Sequence, residues 1–196
     1  MKKQKEKIRC AWPGNDALMI AYHDEEWGVP LFDDKKIFEF MLLDAFQAGL
    51  SWKTILHRRE GFRKAFDNFD VKKIANYSEE KIEKLMNNPD IIRNQSKIRC
   101  TVTNAKLFLK IQKEYGDFST YIWRFTNSKT INNKLKSVKD IVAKSEQSDA
   151  MSKDLMKRGF KFVGSTICYA FMQAAGMVND HTTDCFRHNE IKKMKF

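Results

Sequence analysis

The sequence predicts an all-α fold, and three observations lead to it. Apolar residues recur at helical spacing over most of the 196 residues. No stretch alternates apolar and polar residues for long enough to make a useful strand. Three prolines and eight glycines leave few places to break a helix. A hydrophobic fraction of 42% supplies a core, and the length suits one helical domain over residues 1–196, built as two closely packed lobes.

The elements follow in order. Residues 11–30 are compact and aromatic, with Trp12, Tyr22 and Trp27, and close on Gly28-Val29-Pro30. A short helix is expected over 16–25. Asp33 or Asp34 then caps a helix to about residue 48, and Gly49 takes the left-handed position that ends it. Its body, from Ile37 to Phe46, is apolar on nearly every face, which places it at the centre of the core. Ser51 caps a helix over 52–66 whose outer face is basic: Lys53, Arg58, Arg59, Arg63, Lys64. Asp70 caps a brief helix to residue 75. Ser78, followed by Glu79 and Glu80, opens another with Ile82, Leu85 and Met86 on one face. A turn over 87–95 precedes a long helix capped by Ser96 and ended by Gly116. A short helix covers 118–125. Residues 126–147 are polar and irregular, and are expected to be a long surface connection. Ser148 opens a helix to residue 157. Ser165 caps the last helix, over 166–175, ended by Gly176.

A net charge of +11 and a pI near 9.4 suit a polyanionic partner, most often nucleic acid. The same excess also occurs on proteins that bind none. Cys10, Cys100, Cys168 and Cys185 form no Cys-x-x-Cys pair, and a chain this long needs no disulfide framework, so a reducing cytoplasmic setting is expected. The basic start of the chain is followed by no apolar segment, which argues against a secretory signal. The longest near-apolar run, residues 167–178, contains Gln173 and Gly176 and is too short for a bilayer.

Four residues at the two ends share a chemistry. Cys10 and His23 have twelve residues between them, and His181 and Cys185 have three. Two Cys and two His are a structural zinc set, although the long gap between the halves is unlike a zinc finger. The alternative is two small buried cysteines and two ordinary polar histidines, and spacing leaves both open. Asp44 and Gln47 interrupt the most apolar helix and share a face. A lone carboxylate there is costly unless it is paired or used. It can knit the core, or it can serve a site. Trp12, Tyr22, Trp27 and Trp52 can equally pack as core or form a slot for a flat heterocycle. The turn near Arg93, Lys97 and Arg99 can present backbone N–H groups and positive charge to a phosphate, or be a plain helical corner.

Three long stretches then resemble one family, the type I 3-methyladenine DNA glycosylases. They are Ala21-Tyr22-His23-Asp24-Glu25-Glu26-Trp27-Gly28-Val29-Pro30, Gln47-Ala48-Gly49-Leu50-Ser51-Trp52, and Arg158 to Tyr169 continuing through Val178-Asn179-Asp180-His181. Their order and spacing agree from about Cys10 to Cys185, leaving 126–147 and the two tails unmatched. The resemblance implies the helix-hairpin-helix DNA glycosylase fold, with the hairpin around 78–115. It implies one structural zinc ion on Cys10, His23, His181 and Cys185, joining residues 10–23 to 181–185. The implied reaction is hydrolysis of the N-glycosidic bond of 3-methyladenine in double-stranded alkylated DNA, by a monomer and without a membrane. Trp52 would stack on the base, with Tyr22, Trp12 and Gln47 lining the pocket. Arg93 and Lys97 would contact the DNA backbone, and Leu50 would fill the gap left by the flipped base.

Asp44 falls where this family usually carries a glutamate that hydrogen-bonds the base. Aspartate is one methylene shorter, which sets its oxygens roughly 1.5 Å further back and calls for a shifted helix or a bridging water. Ala45 and Phe46 beside it also look atypical. No Asp lies between Ile91 and Glu114 and no Lys is placed for a Schiff base, so no general base is assigned. A positively charged base is already a good leaving group. Asp44 is also the feature behind two rival expectations: a zinc-stabilised DNA-binding homologue with little or no catalysis, and a glycosylase for another alkylated purine.

Overall fold

Asp16, Asp33, Ser51, Asp70 and Ser78 each stand where a helix is expected to begin. In the computed structural model, which describes residues 7–194, each accepts backbone N–H groups of the first turn. Such caps contribute about 1 kcal/mol each. They open α1 (Ala17–Glu25), α2 (Asp34–Gln47), α3 (Trp52–His57), α5 (Val71–Ala75) and α6 (Glu79–Met86). The remaining helices are α4 (Arg59–Ala65), α7 (Gln95–Tyr115), α8 (Phe118–Trp123), α9 (Glu146–Lys157), α10 (Ser165–Ala174) and α11 (Phe186–Lys193). The described chain is mostly helical, and one apolar cluster runs through it from Cys10 to Cys185.

Several boundaries differ from expectation. The helix expected over 52–66 breaks at Arg58, whose N–H turns back to the Ile55 carbonyl and whose guanidinium donates to Pro89 O at 2.7 Å. Its outer face is less basic than expected, because Arg59 is half-buried and ion-paired to Glu26 and Glu39. Asn94, not Ser96, caps α7, accepting from the Lys97 amide. Ser145, not Ser148, caps α9, and the two serines complete a reciprocal capping box. Ser165 sits inside α10, whose N-cap is Gly164. Helix α11 follows the helix expected to be last, and it buries His188.

The segment 126–147 is more than a surface connection. Its β1 (Ile131–Asn132) pairs in parallel with β2 (Val178–Asn179). Thr183 N donates to Leu135 O at 2.8 Å, and the Asn133 amide donates to the buried Asp180 carboxylate at 2.6 Å. Asp180 also accepts from Tyr169 and Gln173 of α10. One carboxylate therefore ties this segment, α10 and the stretch before His181 together.

Helix α2 lies at the centre, with Ile37, Leu43 and Phe46 fully buried and contacts to α3, α7, α8 and α10. It buries two carboxylates of opposite standing. Glu39 accepts from Arg59 at 2.7 Å and Arg63 at 3.1 Å, and Arg59 continues to Glu26. Asp44 has no hydrogen-bond partner on Oδ2.

Gly176 fixes how the N-terminal segment meets α10. Its φ is +69°, and a Cβ there would collide with the backbone of Val29 and Pro30. Gly176→Ala is expected to cost about 3 kcal/mol or more, from positive-φ strain plus overlap with rigid backbone. Each kcal/mol lowers Tm by about 2–4 °C at this size, so calorimetry showing no drop would contradict the packing described. Among the described residues, no helix is long and apolar enough to cross a membrane. The basic start of the chain, residues 1–6, lies outside the described residues.

Candidate active site

A recess of about 180 Å³ opens between α1, α2, α3 and α10. Trp12, Tyr22, Trp27 and Trp52 make its aromatic walls, Asp44 and Gln47 its polar edge on α2, and Ile141, Ala170 and Gln173 complete it. The spacing of Asp44 and Gln47 on one helical face thus becomes a shared lining. The volume is small beside pockets of roughly 300–1,000 Å³ that take drug-sized ligands, and suits one flat heterocycle.

Three polar atoms of the residues lining the recess lack protein partners. Asp44 Oδ2, Trp12 Nε1 and Trp52 Nε1 are buried without hydrogen bonds. A buried polar atom left unpaired costs on the order of 1–3 kcal/mol. Three of them around one recess mark a surface finished by a ligand with both a donor and an acceptor edge. Burial pushes the Asp44 carboxyl well above the usual carboxylate range. Burial, and then the neighbouring Asp44, push the Tyr22 phenol up.

The aromatic geometry limits how a ring can enter. Tyr22 and Trp52 have centroids 5.1 Å apart and are tilted by 45°. A third ring between them needs roughly 7 Å, twice the carbon contact distance. A ligand ring therefore stacks on one face of Trp52 with Tyr22 at its edge. Behind Asp44 lies a second void, about 10 Å³, lined also by Met41, Ile167 and Cys168. It is near the size of one water, and so leaves slack around the short side chain.

The four end residues converge. One ligand atom each from Cys10, His23, His181 and Cys185 lie within 4.8 Å of one another, and all four residues are buried. Cys185 Sγ is 3.5 Å from both His23 Nε2 and His181 Nδ1, and Cys10 Sγ is 3.7 Å from His181 Nδ1. The outward nitrogens are committed elsewhere. His23 Nδ1 is 2.8 Å from Asp24, which Arg9 holds in turn, and His181 Nε2 is 2.9 Å from Trp27 O. That leaves one free nitrogen per ring, aimed inward, as in metal sites oriented by outer hydrogen bonds. A hydrogen bond from Cys10 pulls the Cys185 thiol far down, and the same bond raises Cys10. The cluster also buttresses the recess. His23 packs edge-on against Trp12 with centroids at 5.4 Å, and His181 against Trp27 at 4.6 Å.

The hairpin joins α6 to α7, and Gly61 of α4 meets the backbone of Asp90 there. Arg93 is exposed on it. Lys97 is not available to a phosphate: it is 7% exposed, and its ammonium donates to Phe46 O at 2.8 Å and Ala48 O at 2.6 Å. A cation there satisfies the C-terminal carbonyls of α2 and faces the negative end of its dipole. Arg99 is paired bidentately with Glu79, so it adds little free charge. Leu50 is 42% exposed on the turn between Gln47 and Trp52.

Three lining residues were not anticipated: Ile141, Ala170 and Gln173. Gln173 carried the same signal as Asp44, a polar residue inside an apolar helix. Ile141 carried none, because its segment has no periodicity.

A family model described as methyladenine glycosylase matches residues 12–188. A DNA-3-methyladenine glycosylase of Haemophilus influenzae is 48% identical over 90% of this chain and 96% of its own. DNA-3-methyladenine glycosylase 1 of Escherichia coli is 46% identical over 90% and 95%. A Staphylococcus aureus 3-methyladenine DNA glycosylase I, solved to explain 3-methyladenine recognition, superposes with a TM-score of 0.88 at 34% identity, covering 96% of this chain and 97% of that one.

Proposed function

The chain belongs to the methyladenine glycosylase family, and from that membership we infer that it hydrolyses the N-glycosidic bond of 3-methyladenine in alkylated DNA. The observation that carries the reading to this chain's own residues is the recess with its three unpaired buried polar atoms.

In this reading the nucleotide leaves the stack and its base enters the recess. Trp52 stacks on it, Tyr22 and Trp12 bound it, and Asp44 and Gln47 meet its polar edge. A base methylated at this position is a cation in DNA. When the bond to the sugar breaks, its electrons return to the base, which departs neutral. Water adds at the sugar carbon and gives up a proton, leaving an abasic site. An ionised Asp44 favours entry of the cation over a neutral base, and no acid is needed for its departure. The hairpin, through Arg93 and its backbone amides, holds the duplex, and Leu50 fills the vacated stack. The enzyme acts as a monomer, a single helix-hairpin-helix domain over the whole chain.

The metal assigned to the Cys₂His₂ cluster is zinc. In a tetrahedron with Zn–S about 2.3 Å and Zn–N about 2.0–2.1 Å, sulfur and nitrogen stand about 3.6 Å apart. The sulfur–nitrogen separations of 3.5, 3.5 and 3.7 Å support that fit. Four protein ligands leave no open position, so the ion is structural.

The direct test is chromatography of the bases released from methylated duplex DNA. Wild type is expected to release 3-methyladenine. Trp52→Ala is expected to be slower by roughly 5- to 150-fold, the worth of about 1–3 kcal/mol for stacking one base. Release of a different purine, or DNA binding with no release, would replace this reading by one of its rivals.

A further inference from the structure

We propose that Lys134, Lys136 and Lys139 form a second grip on the DNA backbone, beside the base recess and separate from the hairpin. The proposal rests on the DNA-glycosylase reading. Residues 127–145 contain five lysines against one acid, Asp140. Lys134, Lys136 and Lys139 are exposed, and none forms an ion pair among the described residues. Asp140 offsets only one of these charges, and its carboxylate accepts from the amides of Lys136 and Ser137. Those bonds hold Lys136 and Lys139 on one tight turn, where a 3₁₀ segment (Val138–Asp140) is closed by the Ser137 capping box.

The turn is placed, not free. Upstream, β1 pairs with β2 and Asn133 is tied to Asp180; Leu135 O accepts from Thr183. Downstream, Ser145 caps α9. The residue that follows the turn, Ile141, lines the base recess, and Val142 after it is 50% exposed. Lys139 lies two residues from Ile141, so their Cα atoms are at most about 7.6 Å apart. A nucleotide with its base in the recess keeps its own phosphates at the mouth. That places the backbone of Lys139 next to a residue of the recess, and between exposed charges screening sets in only beyond about one Debye length, ~10 Å at 0.1 M salt. Lysine meets a phosphate as a flexible point charge, so no shaped pocket is required. The partner is the sugar–phosphate chain, with no sequence preference.

The test is the salt dependence of binding to a duplex containing an abasic-site analogue, for wild type and for Lys134→Gln/Lys136→Gln/Lys139→Gln. Each lost phosphate contact reduces the slope of log K against log salt by about 0.9. The triple variant is expected to bind more weakly, with a slope shallower by up to about 2.7. Quenching of tryptophan fluorescence by free 3-methyladenine is expected to be unchanged, since the recess is untouched. A slope equal to wild type in a variant that still binds the free base overturns the grip. Base release from methylated DNA by wild type is followed in parallel. Its absence overturns the enzymatic reading, while the slope alone decides the grip.

Discussion

Asp44→Asn is expected to lower the rate of 3-methyladenine release about 100- to 1,000-fold, the cost of removing one preorganised electrostatic partner of the reacting group, while making the folded protein more stable at neutral pH. The two effects have one cause. Asp44 is 3% exposed, has an unpaired oxygen, and has a carboxyl pushed up by burial. Below about pH 3.9, the ordinary carboxylate value, both the folded and unfolded chains hold the proton. As pH rises from there through the folded value, the unfolded chain ionises first, and the stability that the neutral acid contributes is lost. Asparagine does not ionise, so the gap between variant and wild type should be small near pH 4 and largest at neutral pH. Activity should move the other way. With a cationic base as substrate, kcat/KM of wild type rises as Asp44 ionises, on a limb displaced above the usual carboxylate range, and Asp44→Asn lacks that limb. Calorimetry at both pH values and single-turnover release measure the two sides. An asparagine variant that is less stable at pH 7, or as active as wild type, would remove Asp44 from its assigned role.

Loss of the proposed metal is the second large expected effect. Cys185→Ala, or prolonged chelation, should lower stability by about 4 kcal/mol or more, since metal affinity in such sites is largely folding free energy. At this size that is about 10 °C in Tm. Base release should fall with it, because the His23 and His181 rings are the backing of Trp12 and Trp27. Elemental analysis should find one zinc per chain. Folded, chelator-washed protein with full activity and no zinc would refute the assignment.

Local chemistry in the sequence located most helix starts, because a capping Asp or Ser acts over three residues. Asp44 and Gln47 were legible as a pair because helical geometry alone puts them on one face. The walls of the recess were partly legible, through aromatics clustered early in the chain. What failed was long-range. Lys97 read as a surface base beside a hairpin, yet the carbonyls that capture it, Phe46 and Ala48, lie about fifty residues away, at separations of 51 and 49. The wall residue Ile141 was invisible for the same reason. Its place depends on a parallel pairing with residues near 178, which no local pattern announces. The break at Arg58 arises from Pro89 and the hairpin, again a partner remote in sequence.

The contact between Cys10 and His181 spans 171 positions. During synthesis the N-terminal aromatics and His23 emerge early, but His181 and Cys185, which close the cluster behind them, come more than 150 codons later. Helices α2 to α7 can gather on the ribosome from near neighbours, whereas this closure must wait. The cluster behind the base recess therefore closes only after Cys185 has emerged. A stalled or prematurely ended chain carries Trp12, Tyr22 and Trp52 without the backing that sets them. Such fragments are expected to be inert toward DNA bases and open to proteolysis, so the order of assembly itself guards against a half-built enzyme working on the genome.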